Sequence, residues 1–164
     1  MTTLFQPDDL NPNDPAEFLY TLSAACFDHA AAIGDEDLAC LNDEQHALVA
    51  YCYLDSQVQE GGFVQLIAAG YGEYVLMNPL ADSLRRWRIK PTPKVLDKAK
   101  ALYQKYGGEI EALAEQETPV ADIRAKFADF EELDGEYYEA ADEDMAAAVA
   151  YVQANWARFA EIAD

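Results

Sequence analysis

The side chains in this sequence that could do chemistry are mostly carboxylates. Between residues 129 and 144 stand Asp129, Glu131, Glu132, Asp134, Glu136, Glu139, Asp142, Glu143 and Asp144, with no Lys or Arg among them. A second group is formed by Asp35, Glu36 and Asp37, followed by Asp43 and Glu44. Crowded carboxylates can hold cations, act as acid–base pairs, or present fixed negative charge to a partner. An EF-hand calcium loop begun at Asp129 needs Gly where Asp134 stands and a ligand where Leu133 stands, and both positions fail. Asp142, Glu143 and Asp144 can bind cations weakly, as any acid cluster can. Glycoside hydrolysis needs two perturbed acids in one cleft. A chain with 31 Asp and Glu supplies carboxylates everywhere, so their abundance selects none.

Nucleophiles and soft metal ligands are sparse. Ser23, Ser56 and Ser83 fall inside predicted helices with no nucleophile elbow. Cys26 and His29 can share a helix face, with Cys40 and His46 further along. No Cys-x-x-Cys exists, and the spacings match no zinc finger. Cys26, Cys40 and Cys52 read as reduced thiols, mostly buried. No Gly-rich loop is followed by Lys and Ser or Thr, so nucleotide phosphates have no cradle. Neither an enzyme, a resident metal nor a cofactor is expected.

What remains is charge. The net charge is −20. That argues against direct binding to a phosphate backbone, which needs Lys and Arg, and favours a basic partner. The charge is uneven: residues 1–84 carry −14, residues 85–126 carry +4, and residues 127–164 carry −10. A folded chain of this size exposes about 8,000 Å², so the average is about one net charge per 400 Å². Duplex DNA, treated as a cylinder of about 10 Å radius, carries about one per 110 Å². Only clustered acids approach that density. If helical, residues 129–144 span about 24 Å, over which one DNA strand carries about seven phosphates. The basic run Arg85, Arg86, Arg88, Lys90, Lys94, Lys98 and Lys100 argues against uniform salt adaptation. Ordinary helix-face charge, neutralisation of nearby acids and pairing with a second subunit all remain open for it.

The elements that position these residues read as helices. Asp14-Pro15-Ala16-Glu17 is a helix start, and Gly34 ends that helix. Asn42-Asp43-Glu44-Gln45 is a capping box, and Leu48, Tyr51, Cys52, Leu54 and Val58 follow at helical spacing. Gly61-Gly62 is expected to break that helix, with a short apolar helix from Phe63. Asn78-Pro79 opens another through Trp87. Pro91 and Pro93 are expected to flank a turn before a helix that Gly107-Gly108 closes, with Glu109–Gln116 a separate short helix. Thr118-Pro119 restarts the chain toward Phe127. Asp142 or Asp144 is expected to cap a last helix with Ala148, Val149, Val152 and Trp156 inward. No strand pattern and no internal repeat stand out. The expectation is an all-α protein of seven to nine helices, one domain over residues 1–164, with residues 1–13 irregular. The start shows no secretory signal and no stretch has the length to span a bilayer, so cytoplasm is the expected compartment.

Several landmarks resemble a known family. Asn42-Asp43-Glu44-Gln45, Tyr51 and Gln57-Val58-Gln59-Glu60-Gly61-Gly62-Phe63 resemble the first motif of a bacterial all-helical family of dimeric DNA-mimic proteins. Leu133-Asp134 with Tyr137-Tyr138, then Tyr151 and Asn155, resemble its closing motif. The resemblance covers about residues 40–160. In that pattern Asn often precedes the paired glycines; here Glu60 stands instead and adds an acid. The resemblance implies a homodimer whose acids imitate duplex phosphates, and a helix-turn-helix transcription factor as the partner kept from its operator. The motif residues are fold landmarks, so no individual acid is carried over. The candidate phosphate mimics rest on clustering alone: Asp35, Glu36, Asp37, Asp43, Glu44, Glu60 and the nine acids from Asp129 to Asp144. Tyr137 and Tyr138 are candidates for shape and apolar contact, with a core role expected for at least one. The rival reading is an interaction module that binds its partner through an apolar groove, its acids serving only solvation.

Overall fold

Helix starts in this chain are fixed by side chains that catch free backbone N–H groups. In the computed structural model, which describes residues 1–164, the Asp14 carboxylate accepts the Glu17 N–H at 3.3 Å and Pro15 opens α1, Pro15–Ala32. Only that half of the expected Asp14–Glu17 box forms. Gly34, at φ +73°, follows the end of the helix. At Asn42 the full box closes. Its side chain accepts the Gln45 N–H at 2.8 Å, and the Gln45 side chain accepts the Asn42 N–H at 3.0 Å. Helix α2, Asp43–Ala68, starts there.

Gly61 and Gly62 leave the helical region, Gly62 reaching φ 79° and ψ −173°. The helix resumes at Phe63, so α2 is two segments joined at a kink. The new start is capped from a distant helix: the Phe63 N–H donates to Asp134 Oδ1 at 2.8 Å. A Cβ on Gly62 would overlap that carboxylate. The expected break is therefore real, and its cause is a crossing between two helices.

Helices α3, Gly72–Leu76, and α4, Leu80–Arg86, follow. Helix α5 runs Pro91–Glu115. Both prolines lie inside its first turn, where no N–H is needed. The expected closure at Gly107-Gly108 does not occur, and Glu109–Gln116 is not a separate helix. Then come α6, Val120–Lys126, α7, Glu131–Ala154, and α8, Trp156–Ala160. Neither Asp142 nor Asp144 starts a helix, because α7 passes through both unbroken. Eight α-helices carry the fold, with short 3-10 turns at Pro7–Asp9 and Ala128–Phe130. The all-α expectation holds. The one strand pair is two residues long, β1 (Thr2–Thr3) against β2 (Glu161–Ile162), antiparallel, and it ties the two ends of the chain together.

Helix α2 packs against α1, α3, α4, α5 and α7. One cluster of 36 buried residues forms the core. Trp87 lies inside it, stacked on Tyr151 at 5.5 Å and edge-on to Phe159 at 5.4 Å. Helix α5 lies antiparallel to α7: Thr92 bonds to Asp144, Lys98 to Glu136, and Tyr106 to Asp129. No helix is long and apolar enough to cross a membrane.

Candidate functional site

Helix α7 decides which acids can act on a partner. Leu133, Tyr137, Ala141, Met145, Ala148 and Val152 bury one face against the core. Their 3.6-residue period leaves the opposite face to solvent. On that face Glu132, Glu136, Glu139 and Glu143 follow one another at steps of four, three and four residues. Glu131 and Asp142 flank them. Glu136 is half-buried and the other five are exposed. From Glu132 to Glu143 the helix rises about 17 Å, over which one DNA strand carries about five phosphates. One cation touches the stripe: Lys98 on α5, 3.2 Å from Glu136. Exposed Asp129 stands beyond the N-terminal end of α7, accepting the Tyr106 hydroxyl at 3.2 Å. Glu60 is exposed on α2 just before the kink that Asp134 caps.

Three of the acids chosen on clustering lie in the interior, not on the surface. Asp134 is 4% exposed and caps the second segment of α2. Burial pushes its carboxyl above the usual Asp range, opposed by the Phe63 N–H and by Arg124. Asp144 is 5% exposed; its Oδ2 accepts both the Thr92 N–H, at 3.0 Å, and the Thr92 hydroxyl at the start of α5. Glu44 is 7% exposed and pairs with Arg86, while the indole N–H of Trp87 approaches at 3.3 Å. A fourth interior acid, Asp55, escaped the sequence reading. It accepts the hydroxyls of Tyr20 and Tyr137. Its signal was present: it lies on the apolar side of α2, between Leu54 and Val58.

The second cluster is a loop between α1 and α2. Glu36, Asp37 and Asp43 are exposed. Asp35 is half-buried and accepts the Cys40 N–H at 2.7 Å; that bond holds its carboxyl below the usual range. Asp43 and Glu60 are 17 residues apart on α2, roughly 26 Å of helix. The two clusters are thus separate patches.

A third acidic region went unnoticed in the sequence. Residues 85–104 carry +6 and residues 105–126 carry −2, and their sum hid the difference. Glu109, Glu111, Glu115 and Glu117 are all exposed on the end of α5 and just past it. Glu109 shares a surface hollow with Asp129 and Lys126, and the other three lie farther along the chain. The basic run sits at the other end, partly spent on ion pairs of Arg85 with Asp97 and Arg86 with Glu44.

The aromatic pair divides as expected. Tyr137 is buried on Asp55, and Tyr138 is 43% exposed beside Glu131 and Asp142, its hydroxyl donating to the Val58 carbonyl at 2.6 Å. The zinc candidates are held by other contacts. Cys26 Sγ faces the Phe159 carbonyl, His29 the Ala163 carbonyl, and His46 the Tyr74 hydroxyl. All three cysteines are free thiols.

The landmark residues build the frame beneath these surfaces. Asn42 donates to the Arg158 carbonyl, and Gln45 to the carbonyls of Phe159 and Glu161. Asn155 donates to the Tyr151 carbonyl. The net charge of −20 over 8,451 Å² averages about one per 420 Å², about a quarter of the density of DNA, so any mimicry needs clustered acids.

Comparison with known proteins agrees with this frame. The chain is 57% identical over 162 residues to a Neisseria meningitidis serogroup B (strain ATCC BAA-335 / MC58) protein named DNA mimic protein DMP19. The match spans 99% of this chain and 98% of that protein. Residues 39–155, which contain every landmark from Asn42 to Asn155, match the family described as DMP19-like protein. The chain belongs to the DMP19-like protein family.

Proposed function

We propose that this protein is a DNA mimic that acts by binding and not by catalysis. Its α7 face occupies the DNA-binding surface of a transcription factor and blocks access to DNA. The observation that carries the reading is the stripe Glu132, Glu136, Glu139 and Glu143, flanked by Glu131 and Asp142, on the face opposite the core and met by a single cation, Lys98. Glu60, Asp129 and the acids ending α5 are further candidates. Asp35, Glu36, Asp37 and Asp43 form a separate candidate patch. The name of the Neisseria relative supports the mimic reading, and the resemblance supports a helix-turn-helix partner and a homodimer.

The physical mechanism follows from fixed charge. Carboxylates held on a rigid helix meet the Arg and Lys side chains that a DNA-binding protein offers to phosphates. Long-range attraction speeds encounter and is screened by salt. A protein of lower charge density than DNA condenses fewer counterions, so its binding falls less steeply with salt than DNA binding does. Tyr138, exposed among the acids, supplies apolar contact that charge alone cannot.

The test is competition. The protein is immobilised, a cytoplasmic lysate is passed over it, captured DNA-binding proteins are identified, and each is titrated on its own labelled DNA site. The expected result is stoichiometric loss of the DNA complex, weakened when the four stripe glutamates become Gln. A DNA complex that persists beside bound protein would instead support groove binding without mimicry.

A further inference from the structure

The chain has 11 Lys and Arg against 31 Asp and Glu, yet not every cation has a carboxylate partner. Arg85 pairs with Asp82 and Asp97, Arg86 with Glu44, Lys98 with Glu136 and Arg124 with Asp134. Arg88, Lys90 and Lys94 are exposed and form no ion pair. Neutralisation of nearby acids accounts for the paired cations and not for these three.

Each of the three also stands where its own fold would be better served by another residue. Arg88 follows α4 in the left-handed region, at φ 68°. Its N–H donates to the Arg85 carbonyl at 2.9 Å, and the Ile89 N–H donates to the Leu84 carbonyl at 3.0 Å. Glycine is the unstrained residue at such a helix end. Lys90 is the N-cap of α5 and makes no capping hydrogen bond, where a short acceptor side chain is preferred. Lys94 lies at the start of α5, near the positive end of the helix dipole, and no acid stands in that turn. Three cations kept against local preference point to a use outside the fold.

Their place beside the stripe indicates that use. Thr92, midway between Lys90 and Lys94, donates its N–H to Asp144, the residue after Glu143. The Glu143 end of the stripe therefore adjoins the start of α5. Past it, from Met145 to Ala154, α7 has no charged residue. The acidic surface thus stops at a basic border. A nucleic acid held by the three cations would lie close to the exposed carboxylates of Asp142 and Glu143 and be repelled by them. A protein whose basic surface stops at carboxylates of its own matches both signs.

We propose that Arg88, Lys90 and Lys94 choose the partner: they receive exposed Asp or Glu side chains that border the DNA-binding surface of the protein held on the stripe. The inference rests on the mimic reading of α7 and adds a rule of selection to it. A partner whose basic surface runs on past Glu143 meets like charge and is disfavoured.

The experiment measures binding of the full chain to two synthetic helical peptides by fluorescence anisotropy at fixed ionic strength. Both peptides carry the same stripe of Arg; in one it is followed by a block of Glu, in the other by a block of Gln. The Glu-block peptide should bind about fivefold tighter or more. Reversing the border, with Arg88→Glu, Lys90→Glu and Lys94→Glu together, should invert that order. Arg88→Gly should melt no earlier than the parent and still lose about twofold of the preference. Equal binding of the two peptides by the parent overturns the proposal and leaves the mimic reading standing. An order that survives charge reversal overturns it in the same way. Binding of neither peptide removes the mimic reading, and this inference with it. A labelled short DNA duplex that binds the parent and is lost on charge reversal would assign the border to nucleic acid and overturn the proposal as well.

Discussion

Glu143 and Asp144 are neighbours on α7, separated by about 100° of helical rotation. Glu143 points to solvent, while Asp144 is buried and terminates two hydrogen bonds from Thr92. Glu132 and Asp134 repeat the contrast at the other end of the acidic segment. In the exposed set the net charge is available to a partner. In the buried set the lone pairs are used: Asp134 caps α2, Asp144 anchors α5, Asp55 holds two tyrosines and Glu44 holds Arg86. Density of acids along the chain therefore overstates density on the surface, and the face a residue occupies decides which role it has. Predictions that separate the two sets test the comparison.

The largest effect is expected at Gly62. Alanine there faces both a backbone region that L side chains rarely adopt and the Asp134 carboxylate. Gly62→Ala should lose roughly 3 kcal/mol or more of stability, read as a lowered urea midpoint. A near-neutral result would mean that α2 and α7 are not locked by Asp134, and would return that acid to the surface set.

Next comes Asp144. Asp144→Ala leaves a buried N–H and a buried hydroxyl without an acceptor, a loss of about 2–3 kcal/mol. Asp144→Asn keeps an acceptor and should recover much of it. Glu143→Ala, one residue away, should stay within about 0.5 kcal/mol. Equal losses at 143 and 144 would erase the distinction between them.

Asp134 gives a smaller effect with a definite sign. Asp134→Ala removes a helix cap and should cost about 1 kcal/mol; Asp134→Asn preserves the acceptor. Burial raises the folded pKa of Asp134, so the folded chain holds that proton more tightly than the unfolded chain. Its favourable contribution is complete below the unfolded value, about 3.9, and is lost as pH rises through the folded value. The stability of Asp134→Asn relative to the parent should therefore improve from acid toward neutral pH. Parallel melting curves for the two proteins across that window check the sign, and a trend in the opposite direction overturns it.

The same contrast explains what could be read from the sequence. Helix starts were legible at Asp14 and Asn42, because a cap is a local contact between residues three apart. The helical class was legible from apolar spacing. Glycine was misread where its use is tertiary. Gly107 is buried, and a Cβ there would press on the Tyr103 ring, so it serves close packing inside α5 and ends nothing. The acidic segment was visible in the sequence, but linear counting could not separate Glu143 from Asp144. The partners of the buried acids, Thr92 and Phe63, lie 52 and 71 residues away. The acids at the end of α5 were lost by averaging with lysines on a helix expected to stop earlier.

The smallest stability effect belongs to the stripe itself, and it has the opposite sign. Replacing Glu132, Glu136, Glu139 and Glu143 with Gln relieves three like-charge neighbour contacts, each worth about 0.2–0.5 kcal/mol on a helix. Two losses offset part of that gain. Glu132 sits in the first turn of α7, where the helix dipole favours a negative charge. Glu136 also gives up Lys98, a solvent-facing pair worth about 0.2–1 kcal/mol. The net change should be at most about 1 kcal/mol, toward greater stability. Low salt should make the gain larger, since repulsion among exposed charges is least screened there. Denaturation of both proteins at two ionic strengths measures this, and DNA competition with the same preparations measures binding. A more stable protein that no longer displaces DNA is the result expected of charge kept for a partner. A less stable protein with competition unchanged would put the stripe with Asp134 and Asp144, among the acids that hold the fold.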